Sequence, residues 1–177
     1  MARRVLVVLL VVAVAWLGFR AVRAFDRDRH AAEAAAVLSA PDKVTHQLPP
    51  APATAPAAGG QAPPPPDPGG RLSYRPGTWL SVVELDGLEP VAGDERYLVF
   101  LRNWAGWTLA GSTSPRADGT AQVRSGAEPR PPTIYEVIVT RAVDDATSVP
   151  HGQPVLQWFD ASLAPPKARR FDFARGA

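Results

Sequence analysis

His30, His46 and His151 are the side chains of this 177-residue sequence best suited to acid–base or metal chemistry, and they lie in three different segments with no ligand spacing between any two. Asp94-Glu95 and Asp144-Asp145 are acidic doublets in expected turns. They could touch a cation, but no calcium-loop spacing surrounds them, and turn chemistry accounts for both. Asp86 beside Gly87 reads as a loop residue, not an acid catalyst. The serines stand without a nucleophile elbow or a matched base, and no glycine-rich phosphate cradle precedes a helix. Cysteine is absent, which excludes a disulfide framework, a thiolate nucleophile, a cysteine-ligated zinc and a lipidated N-terminal cysteine. The sequence therefore predicts no catalytic residue, no metal site and no cofactor.

The aromatic residues offer a different kind of chemistry, that of contact. Of the five tryptophans, Trp79 and Trp158 are expected to pack in a core. Trp104-Ala-Gly-Trp107 falls where a hairpin must turn. Its two rings either pack inward or form an exposed patch; in the second case, with Asn103 and Gly106 beside them, they would suit a polymer or protein partner. Asn103, Trp104 and Trp107 are the candidate binding residues.

The elements that must position this turn read as β. Trp79–Leu85 puts Trp79, Val83 and Leu85 on one face, with Ser81 between them. Tyr97–Leu101 is a continuous apolar run, as expected of a strand buried on both sides. Trp107–Gly111 is short and aromatic, and Asp118-Gly119 is a turn dipeptide followed by Ala121–Val123. Thr133–Thr140 alternates, with Tyr135, Val137 and Val139 opposite Ile134, Glu136 and Ile138, and Val155–Phe159 closes the set. The pattern predicts a small antiparallel β-sandwich over residues 71–160, joined by a first strand within residues 41–48. Tyr97, Val99, Phe100, Val137, Val139 and Leu156 should be inside.

The chain before this domain has another character. Met1-Ala-Arg-Arg precedes fifteen residues without a charge, Val5–Phe19. That is the shape of a membrane anchor or a signal peptide. At about 1.5 Å per residue the run spans about 22 Å, short of the roughly 30 Å hydrocarbon core, so a spanning helix must extend to Phe25 with Arg20 and Arg23 snorkelling. Residues 1–25 are read as the anchor, with cleavage near Ala24 as the other outcome, and residues 26–40 as a juxtamembrane helix ended before Pro41. Residues 49–70 carry nine prolines and four glycines and read as an extended linker or insertion, dispensable for folding. Residues 161–177 read as a basic, flexible tail. Residues 71–160 carry eight basic and eleven acidic groups, a mildly acidic balance that argues against a nucleic-acid surface.

The order of the β-rich pieces resembles a known family. Leu85-Asp-Gly-Leu-Glu-Pro90, Gly93, Tyr97–Leu101, Ala110-Gly111, Asp118-Gly119, Val139-Thr140 and Pro150-His-Gly-Gln-Pro-Val-Leu156 look like the extracytoplasmic C-terminal domain of the anti-sigma-K factor (RskA-like) family. Ala36–Asp42 resembles the segment that opens such domains beyond the membrane. The chain departs from the family pattern at Phe100, where a tryptophan is usual, and at Arg141 and Ala142, which replace an acidic position. The family's cytoplasmic sigma-binding module is also missing. The resemblance implies an outside C-terminus and a sensory or regulatory module without its own sigma-binding part. The expectation is a non-catalytic, single-pass protein of the bacterial cell membrane whose partner is another envelope protein or a separate anti-sigma chain. The alternative is a structural or adhesive envelope domain with no link to sigma factors.

Overall fold

The computed structural model describes residues 16, 29, 31–52, 67–78, 80–126, 134–143 and 147–173. The apolar anchor (save Trp16), His30, most of the proline-rich stretch, Trp79 and Asp144-Asp145 lie outside the described residues. No helix among the described residues is long and apolar enough to cross a membrane. The chain divides into two compact units, Met1–Ala36 and Val37–Ala177. In the first, Arg29 and Glu33 form an exposed i,i+4 ion pair at 3.1 Å, a contact that adds only a few tenths of a kcal/mol to a helix. Residues 31–39 are helical and stop short of Pro41, whose ring disfavours helix in the residue before it.

The second unit is mainly β. Its strands are β1 (Val44–Leu48), β2 (Gly69–Tyr74), β3 (Ser81–Asp86), β4 (Arg96–Asn103), β5 (Gly106–Thr113), β6 (Ala121–Ser125), β7 (Glu136–Ala142) and β8 (Gln153–Phe159). They form two four-stranded sheets, sheet A in the order β1-β2-β3-β6 and sheet B in the order β5-β4-β7-β8. Every pairing is antiparallel. One apolar cluster joins the two inner faces, with Leu72, Val83 and Leu85 from sheet A and Tyr97, Val99 and Val137 from sheet B. This is sandwich packing. The six residues expected inside are each at most 2 % exposed.

Both ends of the proline-rich stretch belong to the fold, which corrects its reading as a linker from residue 49 to residue 70. Leaving β1, the chain switches sheets. The Pro49 carbonyl accepts from Gln157 N at 3.1 Å, Ala51 N donates to the Val155 carbonyl at 2.8 Å, and Pro50 sits opposite Leu156 between those two bonds. Pro50 occupies a position that needs no N–H, so a proline is tolerated in the ladder there. At the far end, Gly69 and Gly70 are the first residues of β2. A Cβ on Gly70 would come within 3.0 Å of both the Glu84 carbonyl and a Leu156 methyl, so the close approach requires glycine.

Two further expectations are corrected. The alternation expected over Thr133–Thr140 puts Ile134 opposite Tyr135, Val137 and Val139, yet Ile134 lies in the inter-sheet core with Val137 and Val139. The strand β7 begins only at Glu136, so Ile134 and Tyr135 precede it and the period-two alternation need not extend to them. The C-terminal segment, expected to be a flexible basic tail, packs on the outer face of sheet B through residue 173. Phe171 and Phe173 lie against Leu98, Phe100 and Ile138, all three of them buried. Two aromatic side chains two residues apart outweigh the surrounding charge, because each ring removes a large apolar area from water.

Candidate functional site

The β4–β5 hairpin carries the candidate site. Asn103 pairs with Gly106, leaving Trp104 and Ala105 as a two-residue loop. Asn103 Oδ1 accepts the Ala105 N–H at 2.9 Å, a side chain closing the turn in place of backbone. Gly106 completes it at φ +129°, a value that side-chain-bearing residues rarely adopt. The turn sequence thus fixes where the aromatic residues go.

Trp104 stands at the tip and is 69 % exposed. Its indole N–H donates to the Leu163 carbonyl at 2.9 Å, which holds the ring while its faces stay open to water. Trp107 does not join it. Its ring is half-buried on the outer face of sheet B, edge-on to Phe171 with centroids 5.5 Å apart, and the Arg102 guanidinium lies 5.1 Å above it. The expectation of two exposed rings on one loop therefore reduces to one exposed ring, Trp104, with Asn103 as the turn's closure and Trp107 as its footing.

Beneath the C-terminal segment lies a polar cluster that sequence reading missed. Glu136 is fully buried. Its Oε2 accepts from Arg102 Nη1 at 3.0 Å. Its Oε1 accepts from Gln157 Nε2 at 3.0 Å and from the Phe171 N–H at 2.7 Å. A buried carboxylate is tolerable only when its lone pairs are answered in this way. The signal was present in the sequence as a lone acidic residue inside Ile134–Val139, together with the Phe171-Asp-Phe173 spacing.

A concavity of about 250 Å³ lies where the chain crosses between the sheets, with walls that include Pro50, Leu88, Tyr97, Pro154 and Val155. Its cation is already engaged. Arg141 donates to Glu95 through Nε at 2.9 Å and Nη2 at 2.5 Å, and to Glu89 at 3.4 Å. The hydrogen bond to Glu95 raises the guanidinium's pKa further above its ordinary value.

Of the histidines weighed for chemistry, the two described ones, His46 and His151, have separate surroundings. His46 is half-buried between Tyr74 and Trp158, with ring centroids 5.8 and 4.5 Å away, at the edge where β1 lies beside β8. Burial lowers its pKa, and the Asp160 carboxylate partly opposes this. His151 packs edge-on to Phe100 and shares a hydrogen bond with Thr147 at 2.9 Å. Among the described residues, no three His, Cys, Asp or Glu side chains are grouped to hold a metal ion. Geometry thus defines a mainly β, sandwich-like module with an exposed aromatic tip. No family model, curated protein or solved structure matches the chain.

Proposed function

We propose that the chain is a non-catalytic interaction module of the bacterial envelope, held at the membrane by its N-terminal apolar segment with the sandwich on the extracytoplasmic side. Its role is regulatory or sensory, of the kind the anti-sigma-K resemblance implies, exerted through another envelope protein or a separate anti-sigma chain. The observation that carries this reading is Trp104. A large apolar ring is 69 % exposed on a tight two-residue turn, tethered by its indole N–H, so a partner can cover it with little loss of conformational entropy. The basic start before Val5–Phe19 supports the membrane placement.

The test is photo-cross-linking in native membranes, with the reactive group at Ala105 of the full chain. A cross-linked partner is expected, and Trp104→Ala should abolish it without changing the thermal midpoint. An unchanged cross-linking pattern in a folded Trp104→Ala chain overturns the assignment of the surface. A phosphatase fused after Ala177 should be active outside the cytoplasm; activity confined to the cytoplasm overturns the topology.

A further inference from the structure

We infer that the outer face of sheet B is a peptide-recognition groove for extended segments with aromatic residues two positions apart, and that the chain's own residues 169–173 occupy it in cis. The polar contacts point to this first. Beyond Asp160, whose N–H reaches the Tyr135 carbonyl at 2.8 Å, the ties of the C-terminal segment to the sheet run through side chains. Glu136 accepts the Phe171 N–H at 2.7 Å, and Gln157 Nε2 donates to the Phe171 carbonyl at 3.0 Å. Arg102 Nη1 donates to the Arg169 carbonyl at 3.1 Å. Three side chains from β4, β7 and β8 therefore read main-chain groups, as a strand edge would in β-augmentation. Main-chain groups are common to every peptide, so these contacts select an extended backbone and not a particular sequence.

Selection comes from the floor. Leu98, Phe100 and Ile138 are buried, and Phe171 and Phe173 pack against them beside Trp107, Leu109 and Ala142, the two phenylalanine rings meeting edge to face with centroids 4.9 Å apart. In an extended chain, residues i and i+2 point the same way, so a Phe-x-Phe spacing places both rings on this floor while the middle residue, Asp172 here, is exposed. The occupant also has a route out. Its internal turn, Ala168 N to the Pro165 carbonyl at 2.8 Å, follows Leu163 and contains Pro166, and among the described residues the segment beyond this turn forms no strand with either sheet. A segment held only to cover apolar surface would not need a carboxylate at 0 % exposure, since burying that charge opposes folding. Glu136 has a purpose if the backbone it bonds is to be recognised. The ligand class is an extended peptide bearing aromatic-x-aromatic, and the tail is its competitor.

The experiment uses the full chain with Phe171→Ser and Phe173→Ser, which empties the groove, titrated with a fluorescent synthetic peptide of residues 161–177. Saturable binding is expected, about tenfold or more tighter than to the unaltered chain, where the tail competes in cis. It should be lost when the peptide's two phenylalanines are replaced by alanine, or when the chain also carries Gln157→Ala. No saturable binding by a variant that keeps its β circular-dichroism spectrum overturns the proposal. If that variant does not fold, the deciding measurement is made on the native residues, with a specific protease site inserted between Pro165 and Pro166. After cutting, exchange of the bound fragment for labelled peptide supports the groove. Loss of β structure, or retention without exchange, overturns it.

Discussion

β4 has two faces, sealed by different means. Tyr97, Val99 and Leu101 face the second sheet, within a core whose walls are backbone ladders on both sides. Leu98 and Phe100 face outward and are equally buried, at 1 % and 0 %, but their cover is side chains, among them Trp107, Leu109 and His151, and an irregular segment bearing Phe171 and Phe173 that Glu136, Gln157 and Arg102 clamp. The difference teaches that a strand buried on both sides does not require a layer of regular structure on each. A ladder distributes its hydrogen bonds along a whole strand and opens with it. A clamp concentrates them on two residues, so it can open while the ladder holds.

The largest expected effect tests whether the outward face is core at all. Phe100→Ala should cost about 3–5 kcal/mol in denaturant unfolding, as truncation of a fully buried aromatic does. A loss below about 1 kcal/mol would show that the cover adapts to the cavity and that the two faces are not equally packed. Next, Glu136→Ala should cost about 1–3 kcal/mol by leaving the Phe171 N–H without its acceptor, and should raise proteolytic cutting within residues 161–173 before the rest of the chain is attacked. A cost matching that of Phe100→Ala, with no selective cutting, would make the clamp inseparable from the core and break the comparison.

The smallest effect concerns the inner side, at the β1/β8 edge. Burial holds the His46 imidazole below its ordinary value of 6.5, with Asp160 pulling it partly back. The unfolded chain then takes the proton first as pH falls. The stability contributed by neutral His46 is therefore full above that ordinary value and lost as pH drops through it towards the lower folded value. His46→Phe should flatten the decline in thermal midpoint between about pH 7 and pH 5. An unchanged slope would assign the decline to other groups.

Much of the fold was legible because period-two alternation and turn chemistry are local. The Asp118-Gly119 turn, with Gly119 at φ +75° and Asp118 Oδ1 accepting the Thr120 N–H at 3.0 Å, follows from two residue types. The apolar run Tyr97–Leu101 announced burial on both faces. What it could not announce was the identity of the cover, because packing Phe171 and Phe173 on the Leu98, Phe100 and Ile138 cluster depends on contacts distant in sequence and on no local signal. Lys167, Arg169 and Arg170 made that segment read as solvated, though their charged ends can stay in water while the main chain docks. The hairpin tip was legible for the opposite reason: Asn103, Gly106 and the spacing between them fix a turn locally, whereas the fate of Trp107 waited on the same distant segment.

Amide hydrogen exchange, followed residue by residue across a series of low denaturant concentrations, tests the two-face account most directly. The Phe171 N–H, bonded to Glu136, should exchange through a local opening whose free energy lies well below that of global unfolding and hardly varies with denaturant, while the Val99 and Phe100 amides exchange only with global unfolding. Exchange of Phe171 at the same free energy and with the same denaturant dependence as β4 would contradict it, placing the C-terminal segment in one cooperative unit with the sandwich core.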